Sequence, residues 1–403
     1  MNSVGIDVSK GKSMIAVMRP FGEVVASPFE VNHTDRELSK LAGMLKSLNG
    51  ETKVIMECTG SYHLPIAYSL HEAGLFVSTV NAKLIHGFGN NTIRKVKTDK
   101  ADAIKIANYG LSCWIELPEY IPEDDLRRIL KVYSRQYTKY SKLKTILKNN
   151  FTSLSDQTFP CVNKLFSSPP RKSDGHEKWM DFAAKFWHCG CICELTPKAF
   201  SERYRKWCKS HGYYFSQSKA DDIYVSAAGH IFVLPKNEMT KLLITQAIAQ
   251  INSIAETLAV IAREMKRLAG MLPEYPVISE FYGVGDVLAP QLIAEIGDVY
   301  RFSRKESLVC FAGLEAPPYQ SGKFESENRS ISKKGSPHLR KALFQVMDCL
   351  LKRSPVNDPI YQFLDRKRSE GKHYYSYMTA GSAKFLRVYY AKVKEYLLGL
   401  EES

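Results

Sequence analysis

The chain has 403 residues, enough for two or three domains each with its own core, and carries a formal charge of +14 with a pI near 9.2. That balance favours a polyanionic partner. A membrane is excluded, because no apolar run approaches the length of a spanning helix, and Asp7 and Lys10 fall where a signal peptide would need its apolar core. Nine cysteines, an odd number without a secretory signal, read as reduced thiols, so composition predicts a cytoplasmic, nucleoid-associated protein that binds nucleic acid.

Residues 3–8, 13–18 and 23–31 read as three strands, with turns at Gly11 and at Pro20-Phe21-Gly22. Asp7 sits between Ile6 and Val8 on the first, a costly place for a charge unless it is paired or binds a metal. Thr34 and Glu37 predict a capping box ahead of a helix lined by Leu38, Leu41, Leu45 and Leu48. Residues 53–57 form a fourth strand ending on Glu57, residues 61–73 a helix stopped at Gly74, and 75–80 a fifth strand. Asp99 and Asp102 follow at a spacing that puts both on one helical face. Any one of these acids reads equally well as a turn or surface acid. Together they predict a four-carboxylate pocket for Mg2+ on a β-β-β-α-β-α-β-α unit that resembles the RNase H-like fold. Between residues 81 and 98, Lys83, His86, Arg94, Lys95 and Lys97 form an acid-free strip suited to phosphates beside that pocket.

From Leu126 the pattern becomes a long helix. Residues 127–148 hold eight cations and no acid (among them Arg127, Arg128, Lys139, Lys142 and Lys148), with Tyr133, Tyr137, Tyr140, Leu143 and Leu147 as an apolar seam. A helix of that kind suits RNA or DNA. Residues 160–172 read as a linker rich in Ser and Pro, and 173–235 yield no motif. Cys189, Cys191 and Cys193 are too closely spaced for a structural zinc site. Ile244, Ile251, Leu258 and Met265, with Ala247, Ile254, Ile261 and Leu268, give a four-heptad coiled-coil pattern, read as an oligomer interface or as packing against the 127–148 helix, with oligomerisation favoured.

Near Pro273 a last domain begins. Phe281-Tyr282-Gly283-Val284-Gly285 before an apolar helix resembles a helix-hairpin-helix, whose glycines let backbone amides approach a phosphate. Further blocks follow: Cys310-Phe311-Ala312-Gly313-Leu314, Tyr319-Gln320-Ser321-Gly322-Lys323, Ile331-Ser332-Lys333-Lys334-Gly335, and His338-Leu339-Arg340-Lys341-Ala342-Leu343.

With Gly5-Ile6-Asp7-Val8-Ser9-Lys10, Met56-Glu57-Cys58-Thr59-Gly60 and Asp99-Lys100-Ala101-Asp102-Ala103, these blocks resemble the DEDD transposases of the insertion-sequence-110 family, bridge-RNA-guided serine recombinases related to the Piv and MooV invertases. The resemblance covers roughly half the chain. It implies an α/β + α architecture: a RuvC-like DEDD catalytic domain over residues 1–125, a helical, coiled-coil middle over 126–272 with an insertion near 160–235, and a mostly helical Tnp domain over 273–403 carrying the catalytic serine. Asp7, Glu57, Asp99 and Asp102 become metal ligands for two Mg2+ ions, replaceable by Mn2+, and Ser321 the nucleophile that links to DNA. Lys333, Lys334 and Arg340 join Gly283 and Gly285 as phosphate contacts. Glu315 and Ala316 depart from the small or basic stretch usual after Gly-Leu. The expected partners are donor and target DNA, a structured bridge RNA and further copies of the chain, as a dimer or tetramer. The alternatives are a metal-dependent RuvC-like nuclease or Holliday-junction resolvase using water, a site-specific invertase, and a scaffold whose acids are structural.

Overall fold

The computed structural model describes residues 1–58, 60–88, 98–317 and 330–402, and the backbone of residues 320, 321, 324 and 325. It divides into two compact units, Met1–Glu123 and Asp124–Ser403.

The first unit is a five-stranded mixed sheet. Strands β1 (Asn2–Ser9), β2 (Lys12–Met18) and β3 (Val24–Asn32) form an antiparallel meander, and β4 (Thr52–Glu57) and β5 (Phe76–Val80) add in parallel on the other side of β1. The spatial order is β3-β2-β1-β4-β5. Helices α1 (Asp35–Lys46) and α2 (His63–Glu72) contribute Leu38, Leu41, Leu45, Ile66 and Leu70 to a core shared with Val4, Ile6, Val54 and Met56. The expected capping box is half made: Thr34 Oγ1 accepts from the Glu37 amide, but the Glu37 carboxylate reaches past the cap to the amide of Asn32 at 2.6 Å. Helix α3 (Ala82–Gly87) and helix α4 (Asp99–Ser112) complete the unit.

Helix α4 lies against β1 at a distance only small residues permit. A Cβ on Gly5 would stand 2.1 Å from the Ala103 carbonyl oxygen and 2.4 Å from the Ala107 nitrogen; one on Gly110 would stand 2.5 Å from Ser3 Oγ and from Ile55 Cδ1. Ser3 Oγ donates to the Ala107 carbonyl at 2.7 Å, entirely buried. Sheet and helix are therefore in backbone contact.

The second unit is helical. Helices α5 (Asp125–Ser155) and α10 (Glu238–Ala269) pack along each other. Between them in sequence come α6 (Lys178–Lys185), α7 (Gly190–Cys193), α8 (Pro197–Ser210) and α9 (Gln217–Gly229). These enclose an aromatic cluster of Phe151, Phe159, Trp179, Phe182, Phe200, Tyr204 and Trp207. After α10 follow α11 (Tyr275–Ser279), α12 (Leu288–Ile296), α13 (Lys305–Phe311), the short hairpin β6 (Gln320–Ser321) and β7 (Phe324–Glu325), α14 (Pro337–Arg353), α15 (Pro359–Ser369) and α16 (Tyr374–Glu401). They share a separate core around Leu292, Ile293, Leu343, Val346, Phe385 and Leu386. The heptad seam of Ile244, Ile251, Leu258 and Met265 is buried within this chain, where α10 meets α5. Of the two packings open to that seam, the intramolecular one is observed.

Gly5→Ala is expected to lower the stability of the first unit by about 1–3 kcal/mol or more, since backbone and not a flexible side chain occupies the space. Ser3→Ala should cost about 1 kcal/mol through its lost buried hydrogen bond. Urea denaturation measures both; a Gly5→Ala protein as stable as the parent would mean that β1 and α4 are not in contact.

Candidate active site and nucleic-acid interface

Side chains alternate along a strand, so Ser3, Gly5 and Asp7 share one face of β1. The first two contact α4 at Ala107 and at Ala103 with Ala107. The helix thus runs opposite to the strand, and the next step along β1 brings Asp7 level with the first turn of α4, where Asp99 and Asp102 lie. On β4, Ile6 is paired in parallel with Met56, so Glu57 continues the register beside Asp7, about 4.8 Å away strand to strand. Ile55 faces α4 at Gly110, and Glu57, two residues on, shares its face. Thr98 caps α4 by accepting from the Ala101 amide at 3.2 Å, and the helix N-terminus favours the two acids that follow.

The electrostatics register this convergence. The Asp7 carboxyl is pushed up to about 6, first by burial and then by the charges of Asp102, Asp99 and Glu57. All four acids act within one local field. As they stand, no three His, Cys, Asp or Glu side chains among the described residues are grouped closely enough to grip an ion. Four like charges hold one another apart, and a cation is the element that would draw them together. The donor set fits: carboxylate oxygens alone, with no thiol or imidazole, suit a hard divalent ion such as Mg2+ or Mn2+.

The basic candidates divide. Lys95 and Lys97 lie outside the described residues. Arg127 is not available to nucleic acid: its guanidinium forms a buried pair with Glu274, one nitrogen 3.0 Å from Oε2, and Nε lies 3.0 Å from Asp124. Lys148 is paired with Glu177 at 2.7 Å, and Arg128 with Asp125. Lys139 and Lys142 are exposed. Lys142 stands near Lys341 of α14, whose ammonium is pushed down by burial and then by Lys142. Lys341 is the residue that sequence reasoning passed over in favour of its neighbour. Arg340 instead holds a loop together, donating to the carbonyls of Ala312 at 2.8 Å and Gly335 at 3.1 Å. That loop presents Lys333 and Lys334 at the surface.

Gly283 adopts φ +79, and a Cβ there would come 2.9 Å from the Val346 carbonyl, so it serves close packing of the turn on α14. Gly285 faces open space beside a cavity of about 300 Å3 lined also by Asp286, Cys349 and Arg353. Ser321 contributes its backbone to the β6–β7 hairpin, in register with Phe324; its side chain lies outside the described residues.

The chain is basic and sets four acids within one local field on β1, β4 and the first turn of α4. Comparison with known proteins gives its kind. Residues 4–160 match the model of DEDD transposases of the IS110 type, described as Transposase, and residues 275–362 match the Transposase IS116/IS110/IS902 family. Over 92% of its length the chain is 22% identical to an insertion element IS110 uncharacterized 43.6 kDa protein of Streptomyces coelicolor, covering 88% of that protein. Over 85% it is 20% identical to the pilin gene-inverting proteins of Moraxella bovis and Moraxella lacunata, covering 80% of each. The chain belongs to the DEDD transposases of the IS110 family, and is a DNA transposase or recombinase. Its family is classed by its acids, so the label serine recombinase gives way to DEDD transposase. Among the described residues no helix is long and apolar enough to cross a membrane.

A carboxyl raised from its ordinary value near 4 to about 6 favours folding when protonated, so the metal-free protein should lose stability as pH rises between about 4 and 6. Asp7→Asn removes that loss and should be the more stable protein at pH 7 in EDTA. Added Mg2+ should close the gap by stabilising the parent alone. Thermal melts with and without EDTA read this out; parallel pH profiles for the two proteins would mean the acids do not share a field.

Proposed function

We propose that the chain is an RNA-guided DNA transposase whose first unit is an RNase H-like, RuvC-like catalytic domain. The sheet order β3-β2-β1-β4-β5, antiparallel on one side of β1 and parallel on the other, supports that fold. Asp7, Glu57, Asp99 and Asp102 hold the divalent metal, two Mg2+ with Mn2+ as a substitute. The single observation that carries this is the register that sets Asp7 beside Glu57 and level with the first turn of α4, where Asp99 and Asp102 lie. Such ions, when bound, offset the negative charge that builds on phosphate oxygens during transfer.

Ser321 is the nucleophile in this reading. Its Oγ bonds to phosphorus as the sugar oxygen departs, the serine proton passes to a base, and the sugar oxygen takes up a proton. The resulting phosphoserine ester keeps the bond energy for rejoining to a new strand. What supports the assignment is the Gln320-Ser321-Gly322 motif inside the second family-matched stretch. A second reading, inversion of a DNA segment, is favoured by the names of the Moraxella relatives.

The RNA and DNA partners are held through the first unit and the open cations of the second. Lys142 lies within electrostatic reach of Lys341, whose cavity also holds His338 and Glu295, and a phosphate there would offset the repulsion between the lysines. The division into residues 1–125, 126–272 and 273–403 is likewise our proposal; its first boundary has the support of the compact unit Met1–Glu123, while α5 and α10 of the middle region share the core of the last. Assembly as a dimer or tetramer would use the apolar residues that the α5–α10 pair leaves exposed, Val132 and Ile146 among them.

Changing Lys139, Lys142 and Lys341 to Gln should make log K for RNA or DNA against log salt less steep by about 2. An unchanged slope would place these residues away from nucleic acid. For the chemistry, cleavage on a nicked suicide substrate should require Mg2+ or Mn2+ and leave DNA joined to the peptide around Ser321. Ser321→Ala should abolish the adduct while RNA and DNA binding persist. Normal cutting by Ser321→Ala with free DNA ends would replace the serine by water.

A further inference from the structure

The corner where α15 turns into α16 carries rings and cations that neither the acids nor the proposed serine uses. Tyr375 is 65% exposed and Tyr374 40%. The ring of His373 lies 5.8 Å from that of Tyr375 at an interplanar angle of 32°, and Phe344 of α14 lies 6.5 Å away on a tilt of 41°. Tyr374 meets Tyr375 edge-on at 5.2 Å, and its hydroxyl donates to Asp348 Oδ1 at 3.1 Å, which fixes that ring against α14. His373 and Tyr375 are exposed rings, neighboured by Tyr374, pinned to α14, and by Phe344, half-buried against the C-terminal core.

Soluble proteins seldom leave adjacent tyrosines open without a use for them. The charge around them narrows the use. Residues 365–372 hold four cations, Arg366, Lys367, Arg368 and Lys372, against two acids, Asp365 and Glu370. Arg366 and Lys367 share Glu370 at 3.9 and 2.7 Å and Arg368 lies 2.9 Å from Asp365, so the cations exceed the acids by two, and Lys372 adjoins His373 in the chain. Helix α16 also begins without a side-chain cap, leaving its first amides beside the same surface. Open π-faces flanked by surplus positive charge fit a strand whose bases are unpaired and whose phosphates run alongside. A duplex hides its base faces and gains nothing from the rings.

We propose that His373 and Tyr375, supported by Tyr374 and Phe344, form a stacking platform for unpaired bases of single-stranded DNA, with Lys372 at its phosphates. DNA is the committed ligand because the chain belongs to a family of DNA transposases, and a cut DNA must be managed while its strands are parted. Apart from Phe344, the platform lies beyond both family-matched stretches, so nothing in the family match assigns it. It does not depend on RNA guidance or on Ser321.

The test is fluorescence anisotropy of the full chain with a labelled oligothymidine of about 15 nucleotides, its duplex form, and the matching oligouridine. Tyr375→Ala with His373→Ala should weaken oligothymidine binding roughly tenfold or more and leave duplex binding unchanged. Tyr375→Phe should bind like the parent, because the ring and not its hydroxyl stacks. Lys372→Gln should make the salt dependence shallower for the single strand only. Unchanged oligothymidine binding by the double variant would overturn the platform, as would equal losses for single strand and duplex. Tighter binding of oligouridine than of oligothymidine, lost in the same variants, would overturn the assignment to DNA. Melting curves of each variant check that the fold is intact.

Discussion

The first unit of this molecule depends on a contact between two backbones. Because positions 5 and 110 lack a Cβ, α4 settles directly on β1, and the Ser3 hydroxyl bonds to the Ala107 carbonyl across the seam. Once those points are fixed, the rest follows from pitch. Two residues of strand advance about 6.8 Å, and a helical turn about 5.4 Å. Moving from Ser3 through Gly5 to Asp7 therefore moves down α4 from Ala107 past Ala103 to the turn holding Asp99 and Asp102. The acids need no bonds among themselves to be placed; a stripe of small residues places them. Their mutual repulsion then adds to burial in raising the Asp7 carboxyl.

This explains what was legible in the sequence and what was not. Asp7 and Glu57 sit on strands with plain apolar patterns, and Asp99 and Asp102 follow a capping Thr98, so element and face could be read locally. The stripe that aligns them could not, because Ser3, Gly5, Ala103, Ala107 and Gly110 matter only as pairs nearly a hundred residues apart. In the 173–235 region the failure was of another kind. Phe200, Tyr204, Trp207 and Cys208 are buried at a clean helical spacing on α8, yet the nearby cysteines drew the eye. The helices there close around Phe182, whose ring meets those of Phe159, Phe166, Phe186, Tyr204 and Trp207. Such a core has too many large residues to look amphipathic in a short window.

Charge was the least local property of all. Residues 127–148 contain no acid, but three of their cations are met by acids far away in sequence: Arg127 by Glu274, Arg135 by Glu295 and Lys148 by Glu177. Glu274 and Glu295 are almost wholly buried, so these are not surface pairs screened by salt. Removing a partner would strand the other charge inside the protein, whereas the intact pair adds little net stability. Their value is positional. One pair joins the start of α5 to the residue just ahead of α11, one joins its third turn to α12, and one joins its later turns to the residue ahead of α6.

Helix α5 is therefore the spine of the second unit, fastened at one end to the C-terminal core and at the other to the aromatic cluster. Helix α10 returns along it and turns inward the heptad seam that otherwise reads as an oligomer interface. The same fastening selects which cations remain for nucleic acid. Arg127 and Lys148 are spent on holding the helix; Lys139 and Lys142 stay exposed, and Lys142 is held close to Lys341 of α14. Burial and Lys142 both press on the Lys341 ammonium. A phosphate beside the two lysines would offset that repulsion, which is the physical basis of the proposed contact.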